Sequence, residues 1–210
     1  MGSIILLGQL AFGVIYRNHT PVSETVTPRQ LSVFWSFAMN DSGALADEWQ
    51  KEDPGYPTYS NDRNQQRLAL ATFYFATGGS LWTNNTGWLS YDIDECEWFS
   101  HSPLDQVCDD EGYYLHLHLD NNNLVGTLTA EMAILSNLTL LDLSSNSLSN
   151  TIPSSFQALT NLGYLNLAHN ALNGSIPIGL MTQLTSLRQL GVNNNLLTGT
   201  IPSDVGNLQR

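Results

Sequence analysis

Basic residues are scarce in this chain. Of its 210 residues, seven are Lys or Arg against nineteen Asp or Glu, giving a formal net charge of -12. Affinity for nucleic acid comes from basic patches that displace phosphate counterions, so this balance argues against a nucleic-acid partner. It argues equally against docking on anionic lipid headgroups. Cysteine is scarcer still, with two residues, Cys96 and Cys108. Charged side chains make up only 12%, and Asn, Ser and Thr take their place, so the surface is hydrated mainly by neutral hydrogen bonds. Catalytic signatures are missing as well. The Gly78-Gly79 pair has no accompanying Lys-Ser/Thr to make a phosphate loop. There is no G-x-S-x-G elbow, no H-E-x-x-H helix and no kinase loop, so the chain reads as a non-enzyme with no cofactor.

The opening stretch, MGSIILLGQLAFGVIY, carries no charge before Arg17. It is shorter than the ~17–25 apolar residues of a spanning helix. It also lacks the basic start and small-residue cleavage site of a secretory signal. We read residues 1–16 as a membrane anchor, whole or partial. Arg17 runs against the positive-inside tendency. Against it stand the close Cys pair and five Asn-x-Ser/Thr sequons, at Asn18, Asn40, Asn84, Asn137 and Asn173. Together these place residues 18–210 on the extracellular or lumenal side of a membrane. An Asn-rich repeat also makes sequons by chance, and for Asn137 and Asn173, inside the repeats, that alternative stays open.

Residues 17–60 form a spacer with one helix. Thr27 is a suitable N-cap with Pro28 at the first helical position, and Leu31, Phe34, Trp35 and Ala38 make one apolar stripe. Asn40 to Ser42 stops that helix, and KEDPGYPTYS reads as a linker. A second helix follows over about 62–77, capped by Ser60 to Asp62 and ended by Gly78-Gly79.

From Tyr114 the chain repeats itself. Leu119, Leu143, Leu167 and Val192 start the same phrase, followed three residues on by Asn122, Asn146, Asn170 and Asn195. Two residues later come Leu124, Leu148, Leu172 and Leu197, then Leu128 or the pairs Ile152-Pro153, Ile176-Pro177 and Ile201-Pro202. A period in the low twenties with L-x-x-L-x-L-x-x-N-x-L signals leucine-rich repeats. One repeat cannot bury its leucines alone, but stacked repeats share a continuous core. The L-x-L step predicts a short strand with Leu141 and Leu143 inward and Leu140, Asp142 and Ser144 outward. The recurring Asn sits where each strand turns, and its amide is expected to bond backbone groups inside the bend, forming a ladder. Gly126, Gly174 and Gly199, with Asn150 in the second copy, permit backbone angles that most side chains oppose.

Residues 115–210, with L-x-G-x-I-P in each unit, resemble plant-type leucine-rich repeats. Residues 66–111, with QRLALATFYFATGGSLW, GWLS and ECEWF…VC, resemble the N-terminal cap of such proteins, most closely that of diatom membrane-anchored, receptor-like members. In that group a membrane helix, a spacer, a cap and repeats follow in order. The resemblance implies an α/β leucine-rich-repeat solenoid, right-handed, with short parallel concave strands and an N-terminal helical, disulfide-bonded cap. It implies a helix near 62–77 lying over Trp82, Trp88 and Trp98. It also implies a Cys96–Cys108 bond, worth about 2–4 kcal/mol. The domain plan is then an anchor at 1–16, a spacer at 17–60, the cap at 61–111, and about four repeats at 112–210, truncated at the C-terminus before a closing repeat.

The concave columns are His116/Leu140/Tyr164/Gln189, His118/Asp142/Asn166/Gly191 and Asp120/Ser144/Ala168/Asn193, with His169 beside them. An outward H-x-H can bind a metal, but no further ligand or supporting shell is identifiable, so these histidines read as concave-surface positions and no metal is assigned. Asp92, Asp94, Glu95, Glu97, Asp105, Asp109, Asp110 and Glu111 lack an EF-hand pattern and read as a solvated acidic surface. The mixture of aromatic, amide and acidic groups suits a membrane-anchored module that recognises a protein, peptide or glycan. The alternative is a cell-surface adhesive or wall-associated element. Ice binding by regular polar rows, as in some plant-type repeat proteins, fits less well, since His, Tyr, Leu and Asp interrupt the rows. Made in a secretory host, the chain is expected to lose mass on glycosidase treatment and to label no free thiol. An unglycosylated chain with two reactive thiols would remove the receptor-like reading.

Overall fold

The computed structural model describes residues 41–101 and 106–200. The anchor expected at 1–16, the helix expected from Thr27, the sequons at Asn18 and Asn40, Asp105 and the last Ile201-Pro202 pair lie outside these residues. Among the described residues, no helix is long and apolar enough to cross a membrane.

Among the described residues, two helices come first. Helix α1, Ser42–Glu52, places Leu45, Ala46, Trp49 and Gln50 on one side, and Leu45, Ala46 and Gln50 are buried. The sequence reading has a stop and a linker here, because the segment is short and polar. What makes it helical is packing, since this face lies against α2. Pro54 ends it. Helix α2, Asn61–Ala76, starts as expected, with the Ser60 hydroxyl accepting from Arg63 N–H at 3.2 Å. It ends where Gly78 turns left-handed at φ 67°. Its apolar side meets an aromatic layer, as the resemblance implies: Trp82, Trp88 and Trp98 are all buried, and Phe73 and Tyr74 pack on Trp82. Tyr74 contacts Trp82 and Trp88, and the indoles follow one another at 4.8 and 5.3 Å.

The expected solvated acidic surface is corrected at Glu95, which is buried. Arg63 and Arg67 lie one turn apart on α2 and reach it together. Arg67 bonds Glu95 at 2.7 Å and Asp53 at 2.9 Å, with all three side chains at most 1% exposed. Arg63 bonds Glu95 at 2.9 Å and Asp94 at 2.6 Å. Trp49, Tyr59 and Trp98 pack their rings around the Arg67 guanidinium. Asp53, in the stretch read as a linker, is thus part of this interior. A buried carboxylate of this kind is tolerated because its partner is fixed in place. The Cys96–Cys108 disulfide is formed, with Cα atoms 5.5 Å apart.

The repeats build two parallel sheets. In chain order the strands are β1 His116–His118, β2 Val125–Thr127, β3 Leu140–Asp142, β4 Ser147–Thr151, β5 Tyr164–Asn166, β6 Ala171–Ser175, β7 Gln189–Gly191 and β8 Leu196–Thr198. Strands β1, β3, β5 and β7 form one sheet, and β2, β4, β6 and β8 the other. The second sheet is not anticipated by the sequence reading, because its strands hold few β-branched residues and its pairing depends on the turns before it. Between the sheets and the opposite side, short helical turns at Ala130–Ile134 and Ser154–Ala158, and helix α3, Ile178–Thr182, insert Met132, Phe156 and Leu180 into the core. Leu117, Leu141 and Leu165 are aligned in register and wholly buried, with Leu119, Leu143 and Leu167 behind them. Each such side chain contributes about 1.5–3 kcal/mol by leaving water.

The recurring asparagines form the expected ladder. Asn146 Nδ2 donates to the carbonyls of Leu119, Leu143 and Ser144, and its Oδ1 accepts from the N–H groups of Asn122 and Leu124. Asn170 donates to Leu143, Leu167 and Ala168 and accepts from Leu148. Asn195 repeats this with Leu167, Val192, Asn193 and Leu172. Asn122, the first rung, differs. It reaches the aromatic layer, donating to Asn84 O at 2.9 Å and accepting from Asn84 N–H at 2.7 Å. Gly126 completes that junction, since a Cβ there would stand 2.0 Å from Ala76 O. Asn146→Ala strands up to five backbone groups and is expected to cost about 2–4 kcal/mol in chemical denaturation. Asn195→Ala, at the more exposed end of the ladder, is expected to cost less.

Candidate functional site

The first sheet presents one alternate face to solvent, because inward leucines occupy every second position. Its register aligns His116, Leu140, Tyr164 and Gln189 in one column and His118, Asp142, Asn166 and Gly191 in the next. Asp120, Ser144, Ala168 and Asn193 follow the strands in equivalent positions. Most of these are half-buried. Gln189 and Asn193 are exposed, and Ala168 is buried. His169 is brought to a different place. It sits in the turn after β5 with φ 56°, in the same left-handed position as Asn121, Ser145 and Asn194, and its ring lies 3.0 Å from the Asn194 amide.

Asp142 organises the middle of the face. One carboxylate oxygen accepts from the Ser144 N–H at 2.9 Å and the Ser144 hydroxyl at 2.7 Å. The other accepts from Asn166 Nδ2 at 3.1 Å and the Tyr164 hydroxyl at 3.3 Å. Asn166 Oδ1 accepts in turn from Ala168 N–H. Gly191 makes room for this arrangement, since a Cβ there would meet Asn166 Oδ1 at 2.4 Å. The four donors on Asp142 are neutral amide, hydroxyl and backbone groups. Burial, then the Asp142 charge, holds the Tyr164 phenol above its ordinary value of 10.0. Tyr164 therefore stays a neutral group near pH 7, with an apolar ring and a polar tip available together.

The sheet is extended at its first edge by the segment containing Ser100 and His101. His101 N–H donates to His118 O at 2.8 Å, and the Ser100 hydroxyl accepts from His118 N–H at 2.9 Å. The His101 ring reaches within 3.5 Å of an Asp120 carboxylate oxygen. Sequence reasoning missed His101, because it lies within the disulfide loop and no repeat spacing points to it. Among the described residues, no group of three His, Cys, Asp or Glu is placed to hold a metal ion. The arrangement is a hydrogen-bonding surface with one aromatic ring, two carboxylates and adjacent imidazoles.

Residues 115–172 and 136–197 match the family model for the leucine rich repeat. The region has the leucine-rich-repeat fold, with parallel strands as in leucine-rich-repeat ectodomains. The structure of PEPR1–AtPEP1 is 28% identical over 69% of this chain and 20% of its own, with a TM-score of 0.57. The BIR3–SERK2 complex from Arabidopsis thaliana contains a chain that is 30% identical, with 60% of this chain and 65% of that one covered and a TM-score of 0.50. A pollen receptor kinase 3 is 25% identical, covering 59% and 58%, again with a TM-score of 0.50. This chain spans less than two thirds of each of these. No curated protein matches it.

The phenol gives a direct check on the Asp142 network. The Tyr164 transition, isolated as the difference between the wild-type protein and Tyr164→Phe in an ultraviolet pH titration, is expected above pH 10. In Asp142→Asn it is expected to move down, because removing a nearby negative charge favours phenolate, while burial still holds it above the ordinary value. An unchanged transition would show that the two groups are uncoupled.

Proposed function

We propose that this chain is a non-catalytic, extracellular recognition module of receptor-like type, and that the outward face of the β1–β3–β5–β7 sheet binds a peptide or protein partner. In this reading the repeats form a right-handed solenoid, and the disulfide-bonded helical layer before them is its N-terminal cap. The observation that carries the proposal is the column register, which sets His116, His118, Asp142, Tyr164 and Asn166 side by side in half-buried positions. Two of the similar structures are complexes, PEPR1–AtPEP1 and BIR3–SERK2, which supports a macromolecular partner. The Asp142 carboxylate, held by neutral donors, favours a partner that presents donors or a cationic group.

Size shapes the proposal. Four strands about 4.8 Å apart span only ~15 Å, whereas a standard interface takes about 800 Å² from each side. The edge segment with Ser100 and His101, the turn row with His169, and Gln189 and Asn193 on the far strand therefore belong to the footprint. A glycan partner is compatible with the same hydrogen-bonding groups. Membrane attachment through residues 1–16 completes the reading. It is supported by the apolar composition of that stretch and by the resemblance to diatom proteins with a membrane helix before the N-terminal layer.

The test is a binding screen of the purified ectodomain against a panel of secreted peptides and receptor ectodomains, using surface plasmon resonance. A partner found in this way is expected to lose tenfold or more in affinity, about 1.4 kcal/mol, with either Tyr164→Ala or His118→Ala. Binding that ignores both changes but disappears on deglycosylation would instead support the adhesive reading.

A further inference from the structure

A cleft of about 550 Å³ lies between α2, the approach to β1 and the segment that follows the helical turn at Ala130–Ile134. That volume is within the ~300–1,000 Å³ typical of ligand sites. Its walls include Asp62 and Gln65 from α2, Tyr113 from the strand approach, and Ile134, Ser136 and Asn137 from the first repeat. Asn137 is the acceptor of the sequon Asn137-Leu138-Thr139.

We propose that this cleft holds the first sugars of an N-linked glycan attached to Asn137. The proposal rests on the extracellular reading above and adds a site to it. Asn137 is half-buried, and its Nδ2 donates to Asp109 Oδ2 at 3.1 Å. Asp109 is itself fixed by the N–H groups of Glu111 at 3.1 Å and Tyr113 at 2.8 Å. An amide nitrogen has two hydrogens, so one serves Asp109 and the other can be replaced. In that step Nδ2 bonds to C1 of a sugar carried on a lipid-linked diphosphate. The C1–oxygen bond to the diphosphate breaks, the lipid diphosphate leaves with the bonding electrons, and the displaced amide proton passes to base. The remaining N–H keeps its bond to Asp109 and aims the sugar into the cleft.

The walls suit a sugar. The Tyr113 ring supplies an apolar face for the C–H side of a pyranose, and its hydroxyl lies 3.3 Å from Asp62 Oδ2. Asp62, Gln65 and Ser136 supply acceptors and donors for sugar hydroxyls. Ile134, an exposed apolar side chain at 41%, would be covered. Asn173, by comparison, stands exposed on β6 and does not line this cleft.

Glycopeptide mapping of the full chain made in a secretory host is expected to find Asn137 modified. Thr139→Val abolishes the acceptor signal and Thr139→Ser keeps it, and both leave Asn137 in place. The pair is compared for Tm in a glycosylating host and, as the unglycosylated baseline, in a bacterial periplasm. After subtracting the baseline, loss of the glycan is expected to lower Tm by about 2–4 °C. In a Tyr113→Ala background that difference is expected to vanish. A free Asn137 alongside a modified Asn84 or Asn173 would overturn this site alone. A chain modified at no sequon would overturn it together with the extracellular reading. A glycan at Asn137 whose contribution ignores Tyr113→Ala would place its sugars outside the cleft.

Discussion

The asparagine amide that spans two successive repeats is the interaction on which the rest of this structure depends. A chain that folds back on itself every two dozen residues must bend repeatedly in its interior, where backbone groups have no water. Asn146 answers that need for two bends at once, serving carbonyls in its own repeat and in the one before, and backbone N–H groups of the earlier bend. Only an amide side chain of this length carries a donor and an acceptor that reach both ways. Once the bends are held, the short strands can be only three residues long and still pair in register, and the leucines behind them stack without gaps.

That register turns a one-dimensional repeat into a two-dimensional surface. The inward positions are restricted to aliphatic side chains, leucine in all but Val192, by the core. The outward positions are released from that restriction and carry a different residue in each repeat. Asp142, Tyr164 and Asn166 show how neighbouring repeats then cooperate, because the carboxylate of one collects donors from the next. Gly191 adds to the same effect by absence, leaving volume that the Asn166 side chain occupies. Chemical character on this face therefore belongs to pairs of repeats and not to single residues.

The repeat region was largely legible from sequence, since period, inward leucines, bend asparagines and outward columns all follow from a spacing that recurs. The disulfide was legible through resemblance. The N-terminal layer was less so. Helix α1 has too few apolar residues to announce itself, and it forms because α2 covers one side of it. Glu95 looks like its exposed acidic neighbours, and nothing local shows that Arg67, 28 positions away, is buried against it. His101 joined the sheet edge for the same reason: its position is set by a contact with β1 and not by any pattern. Long-range pairing without a period leaves no mark that a single sequence can display.

The first rung of the ladder has a consequence of its own. Every later asparagine closes on a unit like itself, whereas Asn122 closes on Asn84, in a segment of unrelated design. An internal unit can therefore be duplicated or deleted in the gene with each amide finding an equivalent neighbour, while the junction at Asn84 admits no such exchange. Each unit added or removed would widen or narrow the outward face by one strand, about 4.8 Å, and leave the junction at Asn84 as it is.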